Sequence, residues 1–182
     1  VYVFREGTDG WTEEALLASG MSGFSRFGTA VALSGDTLVA GDPGYLNYSG
    51  AAYVFRRTDG GWNREALFVG GGPLSQFGYS VAISRDTAMV GAPFGGLGAG
   101  TAAMFIRAGS LWTQAGQLVG SFDGESEAAL CHIFYPSTWD LFGVSIGLSP
   151  EIAVIGAPGD EGSPGAKNGA EYVYESFIPD LP

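Results

Sequence analysis

His132 and Cys131 are the only histidine and the only cysteine of the chain, and they are sequence neighbours. Nucleophilic catalysis needs a base within hydrogen-bond reach of the nucleophile and a third group that holds the base in place. Adjacent residues point to opposite faces of a strand and diverge on a helix, so this pair is not expected to act as a dyad. No Cys or His cluster has zinc-ligand spacing, and a lone cysteine excludes a disulfide within the chain. Paired carboxylates are the other common acid–base device, and Glu13-Glu14, Glu125 with Glu127, and Asp160-Glu161 are the local clusters. None comes with a second motif to fix a substrate between acid and base, and solvated loops account for them. The glycine-rich run GGLGAG at 95–100 joins two strand patterns instead of opening a helix, which argues against a phosphate cradle. These residues are therefore read as belonging to a non-enzyme.

The elements that carry them are repeated. FGTAVALSGDTLVAGDP at 27–43 recurs as FGYSVAISRDTAMVGAP at 77–93 and FGVSIGLSPEIAVIGAP at 142–158. Phe27-Gly28, Phe77-Gly78 and Phe142-Gly143 are thus spaced by 50 and then 65 residues, as are Gly41-Asp42-Pro43, Gly91-Ala92-Pro93 and Gly156-Ala157-Pro158. A third block, GAAYVF at 50–55, matches GTAAMF at 100–105, GAEYVY at 169–174 and the opening VYVF. A fourth begins at Trp11, Trp62 and Trp112 and alternates onward to a leucine. Each unit of about 50 residues holds four strand-length segments, and such internal periodicity decides the architecture.

The local physics agrees. Val31 with Leu33, and Val81 with Ile83, fall on one face of a two-residue period. Ser34-Gly35-Asp36-Thr37 and Ser84-Arg85-Asp86-Thr87 supply short hairpin loops. TLVAG, TAMVG and IAVIG are apolar nearly throughout, as expected of central strands covered on both faces. Thr8-Asp9-Gly10 and Thr58-Asp59-Gly60 carry the Asp-Gly hairpin signal. A four-stranded antiparallel meander cannot bury both of its faces alone, and stacking several around an axis does so. Thirty-one glycines and only 15% charged residues in 182 suit this all-β reading of short strands and tight turns.

Phe-Gly, then Gly-Ala-Pro, then Gly-Ala-Ala-Tyr-Val-Phe and a tryptophan, resembles the FG-GAP repeat of integrin α-subunit propellers and related secreted or surface proteins. The resemblance covers nearly all of the chain apart from 119–141. It implies a β-propeller of four-stranded blades, with about three and a half blades in residues 1–182: the end of a preceding blade at 1–26, blades at 27–76 and 77–141, and an incomplete blade at 142–182. Propellers of this family typically close about seven blades, so the chain is expected to be part of a longer polypeptide or to be completed by copies of itself. The opening VYVF, already in a strand pattern at Val1, fits a fragment or a processed chain.

The resemblance also implies calcium as the cofactor to consider, because family members carry aspartate-rich loops near Gly-Ala-Pro and a hard cation needs several oxygens from one compact turn. Here the loop GDEGSPGAKNG offers Asp160, Glu161 and Asn168, without the alternating Asp-x-Asp-x-Asp-Gly pattern and with Lys167 inside it. Asn47-Tyr48-Ser49 is an N-glycosylation acceptor triplet in an expected surface loop. The insertion near 119–141 carries Phe134, Tyr135 and Trp139; it is either an aromatic recognition loop or a cap on its own blade. The net charge of -11 disfavours nucleic acid and anionic membranes, and no apolar run is long enough to span a bilayer. The expected task is that of a non-enzymatic extracellular or cell-surface adhesion or recognition module with a protein or glycan partner. The alternatives are a structural subunit whose blades are completed between chains, and the non-catalytic propeller of a larger secreted hydrolase.

Overall fold

The computed structural model describes residues 1–120, 140–160 and 169–175. Their strands form four antiparallel sheets, here called blades one to four. Blade one is the hairpin β1 (Tyr2–Gly7) and β2 (Gly10–Leu16). Blade two runs in sequence order through β3 (Val31–Ser34), β4 (Thr37–Asp42), β5 (Ala51–Thr58) and β6 (Gly61–Val69). Blade three repeats it with β7 (Ser80–Ser84), β8 (Thr87–Ala92), β9 (Thr101–Ala108) and β10 (Leu111–Val119). Blade four contains β11 (Ser145–Leu148), β12 (Ile152–Ala157) and β13 (Ala170–Glu175) among the described residues. The all-β meander expected from the sequence is what forms, and every residue of β4 and β8 is buried, as continuous apolar runs in central strands require.

No blade has a core of its own; the cores lie between blades. Val3 and Leu17 of blade one pack on Leu38, Ala40, Tyr53 and Phe55 of blade two. The other face of blade two, through Val39, Val54 and Phe68, meets Val81, Ile83, Val90 and Phe105 of blade three. Met89, Met104 and Ile106 on the far side of blade three meet Phe142, Ala153 and Ile155 of blade four. The Phe68 and Phe105 rings lie parallel across their joint, with centroids 3.8 Å apart.

The repeated glycines are explained by these joints. A Cβ on Gly41 would lie 1.9 Å from the carbonyl oxygen of Gly78 in the next blade, and one on Gly91 would lie 2.0 Å from that of Gly143. Backbone meets backbone there, so only glycine fits. The Phe of each Phe-Gly packs edge-on against an aromatic of its own blade: Phe27 on Tyr53, Phe77 on Phe105, Phe142 on Tyr172.

The fourth strands are bulged at one repeat position. The β1–β2, β5–β6 and β9–β10 registers each slip once, leaving Glu14, Glu65 and Ala115 without a partner residue opposite. A bulge re-aims the extra side chain, and here it aims two carboxylates at the following blade. Arg57 Nε donates to Glu14 at 2.5 Å and its guanidinium also pairs with Asp36. Arg107 pairs with Asp86 and, at 3.6 Å, with Glu65, which in addition accepts the Trp112 indole N–H at 2.9 Å.

Candidate functional site

The meander places Phe-Gly, Gly-x-Pro and the β4–β5 and β8–β9 loops at one end of the blades, with the two-residue hairpins at the other. At that loop end, beside blade two, lies a cleft of about 270 Å³ whose wall includes Phe24, Ser25, Asp42, Tyr45, Asn47 and Tyr48. Asp42 is fully buried at the end of β4. Its carboxylate accepts the Ser25 hydroxyl at 2.6 Å and the Arg26 amide at 2.7 Å, which ties the segment entering blade two to the floor of the cleft. Freed by that anchor, the Arg26 guanidinium lies over the rings of Phe24 and Tyr48 at 5.9 and 5.6 Å. These two rings are themselves 5.5 Å apart. Phe24 is 64% exposed and Leu46 57%. An aromatic–arginine cluster set beside exposed apolar surface has the composition of a recognition patch.

The backbone beside it is strained. Leu46, Asn47 and Tyr48 all take positive φ, at 43°, 54° and 65°. Asparagine tolerates the left-handed region; leucine and tyrosine do so at a cost of about 1 kcal/mol each. The turn thereby holds Leu46 and Asn47 outward at the rim. Behind the cleft Tyr53 is fully buried. Burial, and then the Asp42 charge, raise its phenol above the usual 10.0.

The expected site residues fare unequally. Asn47 is exposed and on a tight turn, where an acceptor triplet was expected. Asp160 is buried in the turn after Gly156-Ala157-Pro158, and its carboxylate accepts the Tyr172 hydroxyl. Glu161 and Asn168, the other two proposed calcium ligands, lie outside the described residues, as do Phe134, Tyr135 and Trp139 of the insertion and the Cys131-His132 pair. Among the described residues no group of three His, Cys, Asp or Glu side chains is placed to hold a metal ion. Phe24, Arg26 and Tyr48 were not singled out from the sequence. The available signal was that FSR at 24–26 stands where the next unit has LSQ at 74–76.

Residues 11–55, 70–105 and 136–174 match the model of the FG-GAP repeat, together more than half of the chain. The chain belongs to the FG-GAP repeat family. No curated protein matches it. FG-GAP repeats build propeller-like modules that are frequent in adhesion and other extracellular proteins, and their blades here are the four sheets already described. Among the described residues no helix is long and apolar enough to cross a membrane.

Proposed function

We propose that this FG-GAP chain is a non-enzymatic recognition module of an extracellular or cell-surface protein, presenting the loop end of its blades to a protein or glycan partner. The observation that carries the reading is the cleft beside blade two, where Arg26, Phe24 and Tyr48 stack above a buried Asp42 and a strained turn holds Leu46 outward. Outliers of this kind persist where the surrounding structure holds them, and they cluster at ligand clamps. The carboxylate buried beside the cleft, Asp42, has both oxygens engaged, by Ser25 and Arg26, as a structural group would.

The test is a side-by-side screen of the immobilised chain and a Phe24→Ser/Arg26→Ala/Leu46→Ser variant against a glycan array and a panel of purified ectodomains. Ligands captured by the native chain and lost by the variant support the reading. Capture that the variant retains in full, or an absence of any ligand for the native chain, would overturn it.

A further inference from the structure

The residues of the cleft beside blade two are not repeated in blade three. Tyr45-Leu46-Asn47-Tyr48 stands where that blade has Gly95-Gly96-Leu97-Gly98, Phe24 where it has Leu74, and Arg26 where it has Gln76. Gly44 makes the slot for the cluster. A Cβ there would lie 3.2 Å from Arg26 Cγ and 3.2 Å from Phe24 Cε1, so the arginine stem and the ring edge occupy the space that a side chain would fill. Leu74 has blade two before it, with the Gln76 amide donating to the Tyr48 carbonyl, and is exposed like Phe24. The exposure of Phe24 therefore belongs to its position in the repeat.

Acidic side chains outnumber basic ones 19 to 8 in this chain, and Arg5, Arg57 and Arg107 each hold a carboxylate. Arg26 does not. Among the described residues no carboxylate pairs with it and no acceptor takes its side-chain N–H groups; the Phe24 and Tyr48 rings fix its guanidinium instead. Asp42 has its oxygens on the Ser25 hydroxyl and on the Arg26 backbone amide. A guanidinium already oriented, with its donors unmet, matches a carboxylate through two parallel hydrogen bonds. Across residues 20–30 and 42–50, Arg26 and the buried Asp42 are the only charged residues, so the exposed charge at the mouth of the cleft is positive. The net charge of -11 opposes an acidic partner at long range. That repulsion is screened beyond about 8 Å at physiological ionic strength, and the contact itself is decided at the mouth.

Beside the guanidinium, Met21, Phe24 and Leu46 are exposed apolar side chains. At about 270 Å³ the cleft falls below the roughly 300–1,000 Å³ of small-molecule sites and suits one or two side chains of a segment laid across it. A sugar stacks on a free aromatic face, whereas Phe24 and Tyr48 each already carry Arg26 on one face. We propose that the cleft takes an acidic segment of a partner protein, an Asp or Glu carboxylate seated on the Arg26 guanidinium and a neighbouring large apolar side chain packed against Leu46 and Phe24. This inference rests on the recognition reading above and narrows it from a protein or glycan to one chemistry.

The probe is an array of acetylated hexapeptides GGXZGG, with every pair of amino acids at X and Z, read with the full 182-residue chain. Pairs of Asp or Glu with Leu, Ile, Met, Phe or Trp should be captured, and their Asn or Gln counterparts about tenfold more weakly. In titrations of the best acidic pair, Arg26→Ala should lose the preference for acid over amide. Arg26→Lys, which keeps the charge and loses the fork, should retain only part of it. Both variants keep the backbone amide that Asp42 holds, and an unchanged urea midpoint shows that they fold. Leu46→Ser should weaken every acidic pair and leave the preference intact. Neutral or basic pairs captured as well as acidic ones, an acid preference that Arg26→Ala retains, or no pair captured above the all-glycine peptide would overturn the proposal. So would capture of sialylated glycans alone, lost in Arg26→Ala, which would assign the arginine to a sugar carboxylate and leave the recognition reading standing. Failure of that reading is a different result, the absence of any ligand among peptides, glycans and ectodomains alike.

Discussion

Phe4, Phe55 and Phe105 occupy one repeat position, immediately after the register slip in the third strand of three successive blades. Phe105 is buried and stacks on Phe68 of the preceding blade, whereas Phe4 is 53% exposed. If blades are stable only through their joints, the same truncation must have different costs at the two positions. Phe105→Ala removes a buried ring and leaves a cavity between two rigid sheets, a loss of roughly 3 to 5 kcal/mol, with the parallel ring pair adding to it. Phe4→Ala removes a side chain whose nearest ring is Tyr2, itself 63% exposed, and should cost no more than about 0.5 kcal/mol. Urea unfolding followed by tryptophan fluorescence reads the difference. At an m value of about 2 to 3 kcal/mol per molar, the midpoint should fall by more than about 1 M for Phe105→Ala and hardly move for Phe4→Ala. Equal losses at the two positions would refute the reasoning, because intrinsic strand propensity and not the joint would then set the stability.

Four further outcomes follow from the same geometry. Arg107→Ala should destabilise by about 2 kcal/mol, and a double-mutant cycle with Glu65→Gln should give about 1 kcal/mol of coupling, since both side chains are largely buried at 11% and 14% exposure; zero coupling would remove the ion pair from the account. Gly91→Ala should cost about 3 kcal/mol or prevent folding through its contact with the Gly143 carbonyl, while Gly116→Ala, with open space around it, should be nearly neutral in the same urea assay. Tyr53 has its phenol pKa raised by burial and by Asp42, so its contribution is fully present below the unfolded value near 10.0 and is lost as pH rises through the folded one; Tyr53→Phe should flatten that alkaline limb in thermal melts taken between about pH 9 and pH 12. Hydrogen exchange should show β11–β13 opening before β4 and β8, and equal protection would contradict the ranking of the joints given below.

Much of the fold was legible because its determinants are local and repeated. Two-residue alternation, Asp-Gly turns and Phe-Gly spacing fix strand order before any long-range contact is considered, and β1 to β13 follow that order. The joints were only half legible. The glycine of Gly-Ala-Pro announced crowding, but a sequence period does not say that Gly91 meets the carbonyl of Gly143 and not its own turn. Nor do Val31 and Leu33 reveal on paper that they remain exposed while Val81 and Ile83 are buried, for the apolar pattern is the same and only the neighbouring blade differs. The cleft was not legible, because Arg26 reaches Phe24 and Tyr48 through a buried aspartate that reads as a minor variant of Gly-Ala-Pro.

That variant shows how a repeat acquires a task. Where the units agree, at Phe-Gly and at the close-packed glycines, the residues serve joints; where they diverge, they serve one place. Asp42 replaces the alanine of the other two copies, and its two hydrogen bonds build the floor of the cleft. The ion-pair positions diverge in the opposite sense. Glu14–Arg57–Asp36 and Glu65–Arg107–Asp86 bridge the first two joints, but the third has Ala115 at the bulge, and Ser176 follows Glu175 where Arg57 and Arg107 follow their counterparts. Among the described residues the joint of blades three and four is carried by the Met89, Ile106 and Phe142 cluster, with Ala115 at the bulge in place of the carboxylates of the other two joints. Carboxylates at the bulge of the first two joints and an alanine at the third rank the third as the one that opens first in hydrogen exchange.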